Sequence, residues 1–270
     1  MAKISVYIIA YNQAHKIEAA INSVLWADEI IVADSYSTDG TAEIAERLGA
    51  KIVQIPFKGF GDLRNQALSV CQYEWIFNLD SDERCTPDAR DEILKIINQP
   101  VKHDIYYVPR RNFFMGRWIK HSGWYPNYRQ PQLFRKNTLT YTPLVVHEGF
   151  VSHSTKPIGF LQAALWQIPF ENLTELIQKA NRYSSLGAEK LAAKNSQPSL
   201  WQAYWHGAWA FIKHYLFKKG FLDGWPGFII ALGNFEGTFY RYAKHYEQAN
   251  NWPVPASPPL QRLEEKYEKK

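Results

Sequence analysis

Four short apolar runs in the first eighty residues alternate with amphipathic stretches, and this alternation restricts the fold more than any other feature. Residues 4–10, 29–33, 51–55 and 75–79 have the length and the branched and aromatic content of buried strands. Between them, residues 15–26, 41–48 and 63–70 carry helical patterns, and Gly49 suits the position just past the second helix. Strand and helix repeated in this way predict an α/β fold with a mostly parallel central sheet covered by helices on both faces. Right-handed crossovers then fix most of the topology. A sheet of this kind binds its ligands just outside the carboxyl ends of its strands.

Three strand ends are polar there: Ala10-Tyr11-Asn12, the segment from Asp34 to Asp39, and Asp80-Ser81-Asp82 with Glu83 behind it. Side chains alternate along an extended segment, so Asp80 and Asp82 can offer two carboxylates to one spot. Paired carboxylates repel anions but suit a hard divalent cation, which can carry a diphosphate. The competing reading of Asp80 and Asp82 is a solvated turn that caps the next helix. Asp34 is placed to accept from a nucleobase or a ribose hydroxyl, with helix capping as its alternative role, and Asp39 reads as a turn residue. No Gly-x-Gly-x-x-Gly follows the first strand, which disfavours dinucleotide binding.

The remaining chain is organised differently. Pro87 suits the first turn of a helix over 87–97, and 103–109 reads as a strand. Residues 110–151 are irregular, with glycine and proline interrupting aromatic and basic residues. Residues 173–194 form an amphipathic helix, and 199–217 and 228–246 are helical and rich in aromatics. The expected organisation is an α/β domain over 1–165, with a first half at about 1–100 that carries the polar strand ends and a second half at about 101–165. A helical C-terminal extension follows over 166–270. Ten Trp, 16 Tyr and 15 Phe with a net charge of +5 suit phosphorylated ligands or an anionic membrane surface. That charge is too small to argue for nucleic acid. Two cysteines, no secretory signal pattern and no long apolar window place the protein in the cytoplasm, with peripheral attachment to the inner membrane as an option.

Several segments together resemble family 2 glycosyltransferases of the GT-A fold. They are Ile8-Ile9-Ala10-Tyr11-Asn12, the run from Trp26 to Ser35, Ser37-Thr38-Asp39-Gly40-Thr41, Gly59-Phe60-Gly61, Arg64-Asn65 and Asp80-Ser81-Asp82-Glu83. The likeness is to the bacterial branch that adds β-linked glucose to the lipopolysaccharide inner core. Gly123-Trp124-Tyr125-Pro126, Leu133-Phe134-Arg135, Val146-His147-Glu148, residues 220–224 and Tyr242-Ala243-Lys244 continue it.

The resemblance implies an inverting hexosyl transfer, with UDP-glucose as donor and a lipid-linked lipopolysaccharide core oligosaccharide or related glycolipid as acceptor. Asp82, helped by Asp80, would hold Mg²⁺ or Mn²⁺ against the donor diphosphate. Asp34, with groups near Ala10, Tyr11 and Asn12, would close the nucleotide site. Arg64 would reach a nucleotide or phosphate, or else be a surface cation. Glu148 is the candidate base for the acceptor hydroxyl, with a structural salt bridge as its rival.

Two departures from the branch stand out. Gln132 replaces an Arg before Leu133-Phe134, and Gln167 falls where a metal-binding His is expected. Other readings are a related glycolipid or protein glycosyltransferase, a metal-dependent nucleotidyltransferase, and a non-catalytic nucleotide-sugar binding module. Aromatic and basic residues between Trp201 and Tyr246 suit an anionic bilayer surface or a packed helical hairpin equally.

Overall fold

A computed structural model describes residues 1–126, 128, 130–142 and 149–252. Helices α1 (Ala14–Asn22), α2 (Thr41–Arg47), α3 (Phe60–Val70) and α4 (Pro87–Ile97) alternate with strands β1 (Ile4–Ala10), β2 (Glu29–Asp34), β3 (Lys51–Gln54) and β4 (Trp75–Asp80). Short strands follow: β5 (Glu83–Arg84), β6 (Ile105–Tyr107), β7 (Arg110–Phe114), β8 (Arg117–Trp118), β9 (Pro131–Arg135), β10 (Leu139–Tyr141), β11 (Phe150–Ser152), β12 (Gly159–Phe160) and β13 (Leu165–Gln167). Three long helices complete the order, α5 (Leu173–Ala193), α6 (Leu200–Ile212) and α7 (Gly224–Asn250). A π turn over Lys213–Phe217 and a 3₁₀ turn over Gly220–Asp223 lie between the last two.

The central sheet has seven strands in the order β12-β6-β9-β4-β1-β2-β3. Only β9 runs against its neighbours; β1 pairs in parallel with β2 and β4, and β2 with β3. The α/β fold with a mostly parallel sheet is therefore as the sequence predicts. All seven residues of β1 are buried, as expected of a strand with helices on both faces.

Alternation along β4 sorts its side chains between two cores. Trp75, Phe77 and Leu79 join the α1 and α4 face with Ile17, Ile21, Ala89 and Ile93. Ile76 joins the α3 face with Leu63, Ala67 and Tyr141. Asn78 and Asp80 share that second parity, so two polar side chains of a buried strand point towards α3. The predicted strand over 103–109 is β6, while β7 begins at Arg110, in the stretch read as irregular, and belongs to a different sheet.

The second sheet, β5-β13-β7-β8, is small and was absent from the expectation. It brings Gln167 opposite Glu83 and also opposite Asn112. The chain divides into two compact units. One comprises Met1–Glu175 with His214–Ile230, the other Leu176–Lys213 with the residues from Ala231 on. No helix among the described residues is long and apolar enough to cross a membrane.

Candidate active site

The strand registers bring the three polar ends to one edge. Ala10 lies opposite Asp34, and Ile9 lies opposite Asp80. The loops leaving β1 and β2 are then bonded to each other. Ser35 N–H donates to the Ala10 carbonyl at 2.9 Å. Asn12 N–H donates to Ser37 Oγ at 2.8 Å, and Asn12 Oδ1 accepts from Thr38 N–H at 2.9 Å. Asn12 adopts the left-handed conformation at φ 51°, which an Asn tolerates better than most residues. Tyr11 beside it is 60% exposed.

Asp34 is fully buried. Its Oδ2 accepts the Ser37 N–H at 2.9 Å and its Oδ1 accepts the Ser37 hydroxyl. In this conformation the carboxylate fixes the loop after β2 rather than facing the sheet edge. It does not cap α2, whose first residue follows Gly40 without a side-chain cap. Asp39 is the capping residue. It accepts the Ala14 N–H at the start of α1 at 3.0 Å, and the Thr41 N–H at 3.1 Å. These bonds outweigh the cost of burial and hold Asp39 below the ordinary carboxylate range.

Arg64 is not a surface cation. It sits on α3 at 5% exposure, donating through Nη1 to Asn78 Oδ1 at 2.7 Å and through Nη2 to Asp80 Oδ1 at 2.8 Å. Its guanidinium lies 5.6 Å from the centre of the Tyr141 ring. The next residue, Asn65, clamps the backbone of Tyr141, donating to its carbonyl and accepting its N–H, each at 2.9 Å. Gly59 precedes α3 at φ 141°, a conformation that side-chain-bearing residues rarely adopt, and so sets the approach of this helix.

Beyond Asp80 the chain turns through Ser81-Asp82 into β5. Gln167, opposite Glu83 in the small sheet, donates its amide to both carboxylate oxygens of Asp82 at 3.2 Å. Asp82 is half-buried, and the Asp80 side chain is 28% exposed.

Glu83 is fully enclosed behind the turn. It accepts from Arg110 Nε, from Gln132 Nε2 at 2.7 Å and from the Asp80 N–H at 3.0 Å. Burial, with the nearby charges of Asp80 and Asp82, pushes the Glu83 carboxyl up to about 7 against the pull of Arg110. Gln132 also donates to the Asn78 carbonyl at 3.2 Å. The substitution of Gln for Arg at 132 therefore places a neutral donor beside a glutamate that Arg110 already pairs.

The sequence signals behind this network were unequal. Asn78 stood out only as a polar residue inside an apolar strand. Gln132 and Gln167 stood out as departures from a family pattern. Glu83 stood out only as the residue behind the acid turn and Arg110 not at all; their pairing joins residues 27 apart in sequence across the small sheet. Glu148 and its neighbour His147 lie outside the described residues.

The donor set fits a hard divalent cation. Two carboxylates with solvent access stand at a sheet edge, one balanced by Arg64 and one oriented by an amide, and oxygen is the preferred donor of Mg²⁺ and Mn²⁺. No third His, Cys, Asp or Glu groups with them among the described residues. The trio that does group is His15, Glu171 and Glu175, within 4.8 Å of one another, and there Lys16 already pairs with Glu175 at 3.0 Å. A separate hollow lined by Asp28, Lys51, Gln72 and Tyr73 lies at the amino-terminal edge of the strands, away from these groups.

Comparison with known proteins gives a consistent picture. The profile described as Glycosyl transferase family 2 matches residues 5–156. An uncharacterized glycosyltransferase of Rickettsia bellii is 32% identical over 260 residues, spanning 90% of this chain and 85% of its own length. The lipopolysaccharide core biosynthesis glycosyltransferase LpsC of Rhizobium meliloti is 26% identical over 255 residues, spanning 91% and 92%. Among solved structures, glucosyl-3-phosphoglycerate synthase of Mycobacterium tuberculosis with Mn²⁺, UDP and product is 27% identical at a TM-score of 0.37. That match covers 41% of this chain and under half, 44%, of the other.

Proposed function

This chain belongs to glycosyl transferase family 2 and is a glycosyltransferase, and we propose that it moves a hexose, with inversion, from UDP-glucose to a lipid-linked lipopolysaccharide core or related glycolipid. The observation that carries the reading is the Asp80-Ser81-Asp82 turn. It stands at the carboxyl edge of the central sheet, one carboxylate paired with Arg64 and the other held by Gln167. The acceptor class is supported by the near full-length likeness to LpsC.

In this reading Asp82, with Asp80, holds a divalent cation. Mg²⁺ or Mn²⁺ bound there supplies Lewis-acid compensation for the charge that gathers on the departing diphosphate. Arg64 pairs with Asp80 and fixes it, while Gln167 fixes the Asp82 carboxylate plane. Ala10, Tyr11 and Asn12 border the nucleotide. Asp34 reads the uridine only if the donor displaces the Ser37 hydroxyl from it. Glu148 takes the proton of the acceptor hydroxyl as the new bond to the anomeric carbon forms and the bond to phosphate breaks. Residues 1–165 are the catalytic domain and 166–270 the helical extension. The setting is the cytoplasmic face of the inner membrane.

The test is UDP release from UDP-glucose in the presence of a core oligosaccharide, with and without Mn²⁺, for wild type and Asp82→Asn. The variant loses at least about 100-fold in turnover while keeping its unfolding midpoint. Equal turnover in both proteins removes the metal assignment, and release from another nucleotide sugar alone removes the donor.

A further inference from the structure

The unit that carries the acid turn also presents an apolar and basic surface that the chemistry above does not use. It is built on the segment from Leu216 to Trp225, which runs through the end of the π turn and the 3₁₀ turn into α7. Phe217 is 67% exposed and Trp225 76%, with Leu216, Phe221 and Leu222 also exposed. Lys218 and Lys219 stand between them, both exposed.

The segment is fastened to the β7-β8 region by its own backbone. Ser122 N–H donates to the Lys218 carbonyl at 2.9 Å, and Arg117 Nη2 reaches the Leu222 carbonyl at 3.4 Å. Arg117 and Lys120 are exposed and add two more cations to the same neighbourhood. The carboxylate of the segment is turned inward. Asp223 is 1% exposed and accepts from the N–H groups of Lys120 and His121 and from the Ser122 hydroxyl. It is the only Asp or Glu between Glu189 and Glu236.

The second unit, taken by itself, also exposes large apolar residues, on α6. That helix buries small residues, Ala203 and Gly207, and exposes large ones, with Trp201 at 74%, Trp205 at 65% and Trp209 at 55%. A Cβ on Gly207 would lie 3.2 Å from the Phe235 ring, so the inward side is close-packed. A helix that faces its indoles outward and its small residues inward inverts the ordinary pattern. At about 250 Å² each, three indoles exposed to this degree present roughly 490 Å², more than scattered surface apolar residues do.

We propose that the surface of residues 216–225, with Arg117 and Lys120, docks on a bilayer whose headgroups are anionic. Three features select this occupant. Trp and Phe beside Lys and Arg match the headgroup level, where rings enter the acyl boundary and cations stay with lipid phosphates. Withdrawal of Asp223 leaves that segment without an outward negative charge. A second copy of the chain is disfavoured, because a two-fold contact sets the same lysines against each other. The inference rests on the proposed function in one respect: a lipid-linked acceptor gives the docking its use.

The test is cosedimentation of the full chain with vesicles of phosphatidylcholine alone or with phosphatidylglycerol. Wild type pellets with the anionic vesicles, stays in solution with the neutral ones, and is released as salt is raised. Replacing Lys218→Gln and Lys219→Gln together weakens anionic partitioning about 30-fold. Trp225→Ser weakens it independently. Both variants keep the wild-type unfolding midpoint and release UDP at the wild-type rate with a water-soluble oligosaccharide acceptor. Wild type that ignores anionic vesicles overturns the proposal, as do variants that pellet like wild type. A dimer in solution that the same variants dissolve also overturns it. Vesicle binding without any UDP release leaves the docking surface standing and sinks the donor and acceptor assignment instead.

Discussion

Replacing Arg64 by Met tests the core of the site, because the residue's position gives the effect a size and a sign in two assays. The guanidinium is 5% exposed and bonds to Asp80 at 2.8 Å and to Asn78 at 2.7 Å. Charge centres about 4 Å apart attract by about 4 kcal/mol at an effective dielectric of about 20. Breaking such a pair by removing one partner costs about 3–5 kcal/mol, most of it from the stranded charge. Asp80 is partly hydrated, its side chain 28% exposed, which favours the low end. An unpaired Asn78 oxygen adds about 1 kcal/mol. Arg64→Met should therefore lose about 3–4 kcal/mol in urea unfolding, and Asp80→Asn a similar amount. The double variant should recover about 2 kcal/mol relative to their sum. Binding of Mn²⁺, followed by titration calorimetry at a temperature where the variant is folded, should move the other way. A divalent ion held by Asp80 and Asp82 would be relieved of the repulsion of that guanidinium, so the affinity should rise, by about tenfold for a relief of about 1.4 kcal/mol. Loss of under about 0.5 kcal/mol with additive single variants would mark Arg64 as an ordinary surface cation. Unchanged Mn²⁺ affinity with a large rise in donor KM would make it a phosphate ligand and refute the assignment as the counter-charge of Asp80.

Two further outcomes follow from groups away from the turn. Burial pushes Asp104 up, but bonds from Ser154 at 2.7 Å and from Arg135 and Lys156 at 3.2 Å outweigh it and hold the carboxyl below the ordinary range. The stability it contributes is thus present above the unfolded carboxyl pKa and lost as pH falls through the folded one. Asp104→Asn should cost about 1–2 kcal/mol in unfolding at pH 7, and an undiminished gap at pH 3 would count against this. Cys71 and Cys85 are buried, and burial pushes both thiols up to about 12. At pH 8 only roughly one thiol in ten thousand is then ionised, so a thiol reagent should label neither in the native chain and both in urea; rapid native labelling would contradict their enclosure.

The parts of the fold that local pattern governs were legible in the sequence. Helix α4 spans Pro87–Ile97 as predicted, because Thr86 and Pro87 supply both a cap and a first turn. The aligned ends of β1, β2 and β4 followed from three polar strand ends in consecutive units. The small sheet did not. Strands of two and three residues, β5 and β13, have no periodicity to read, and their pairing joins Glu83 to Gln167 across more than eighty residues. The role of Glu83 and its pairing with Arg110 were hidden for the same reason, since the two meet only once the small sheet is built. Asp34 was legible as a polar strand end, but its engagement by Ser37 depends on the fold of the loop that follows. The outward indoles of α6 could not be told from a core stripe, because spacing along a helix records a face without saying what that face meets.

The pairing of Gln167 with Asp82 bears on the timing of synthesis. All three polar strand ends have been synthesised by residue 82, yet the strand that steadies the second acid is made only well past the midpoint of the chain. Contacts so distant in sequence form late, after the entropy of closing the intervening loop has been met. A nascent chain can therefore assemble its β1–β4 half while its acid turn still lacks a brace. The turn proposed to hold the cation is complete only once β13 has been made.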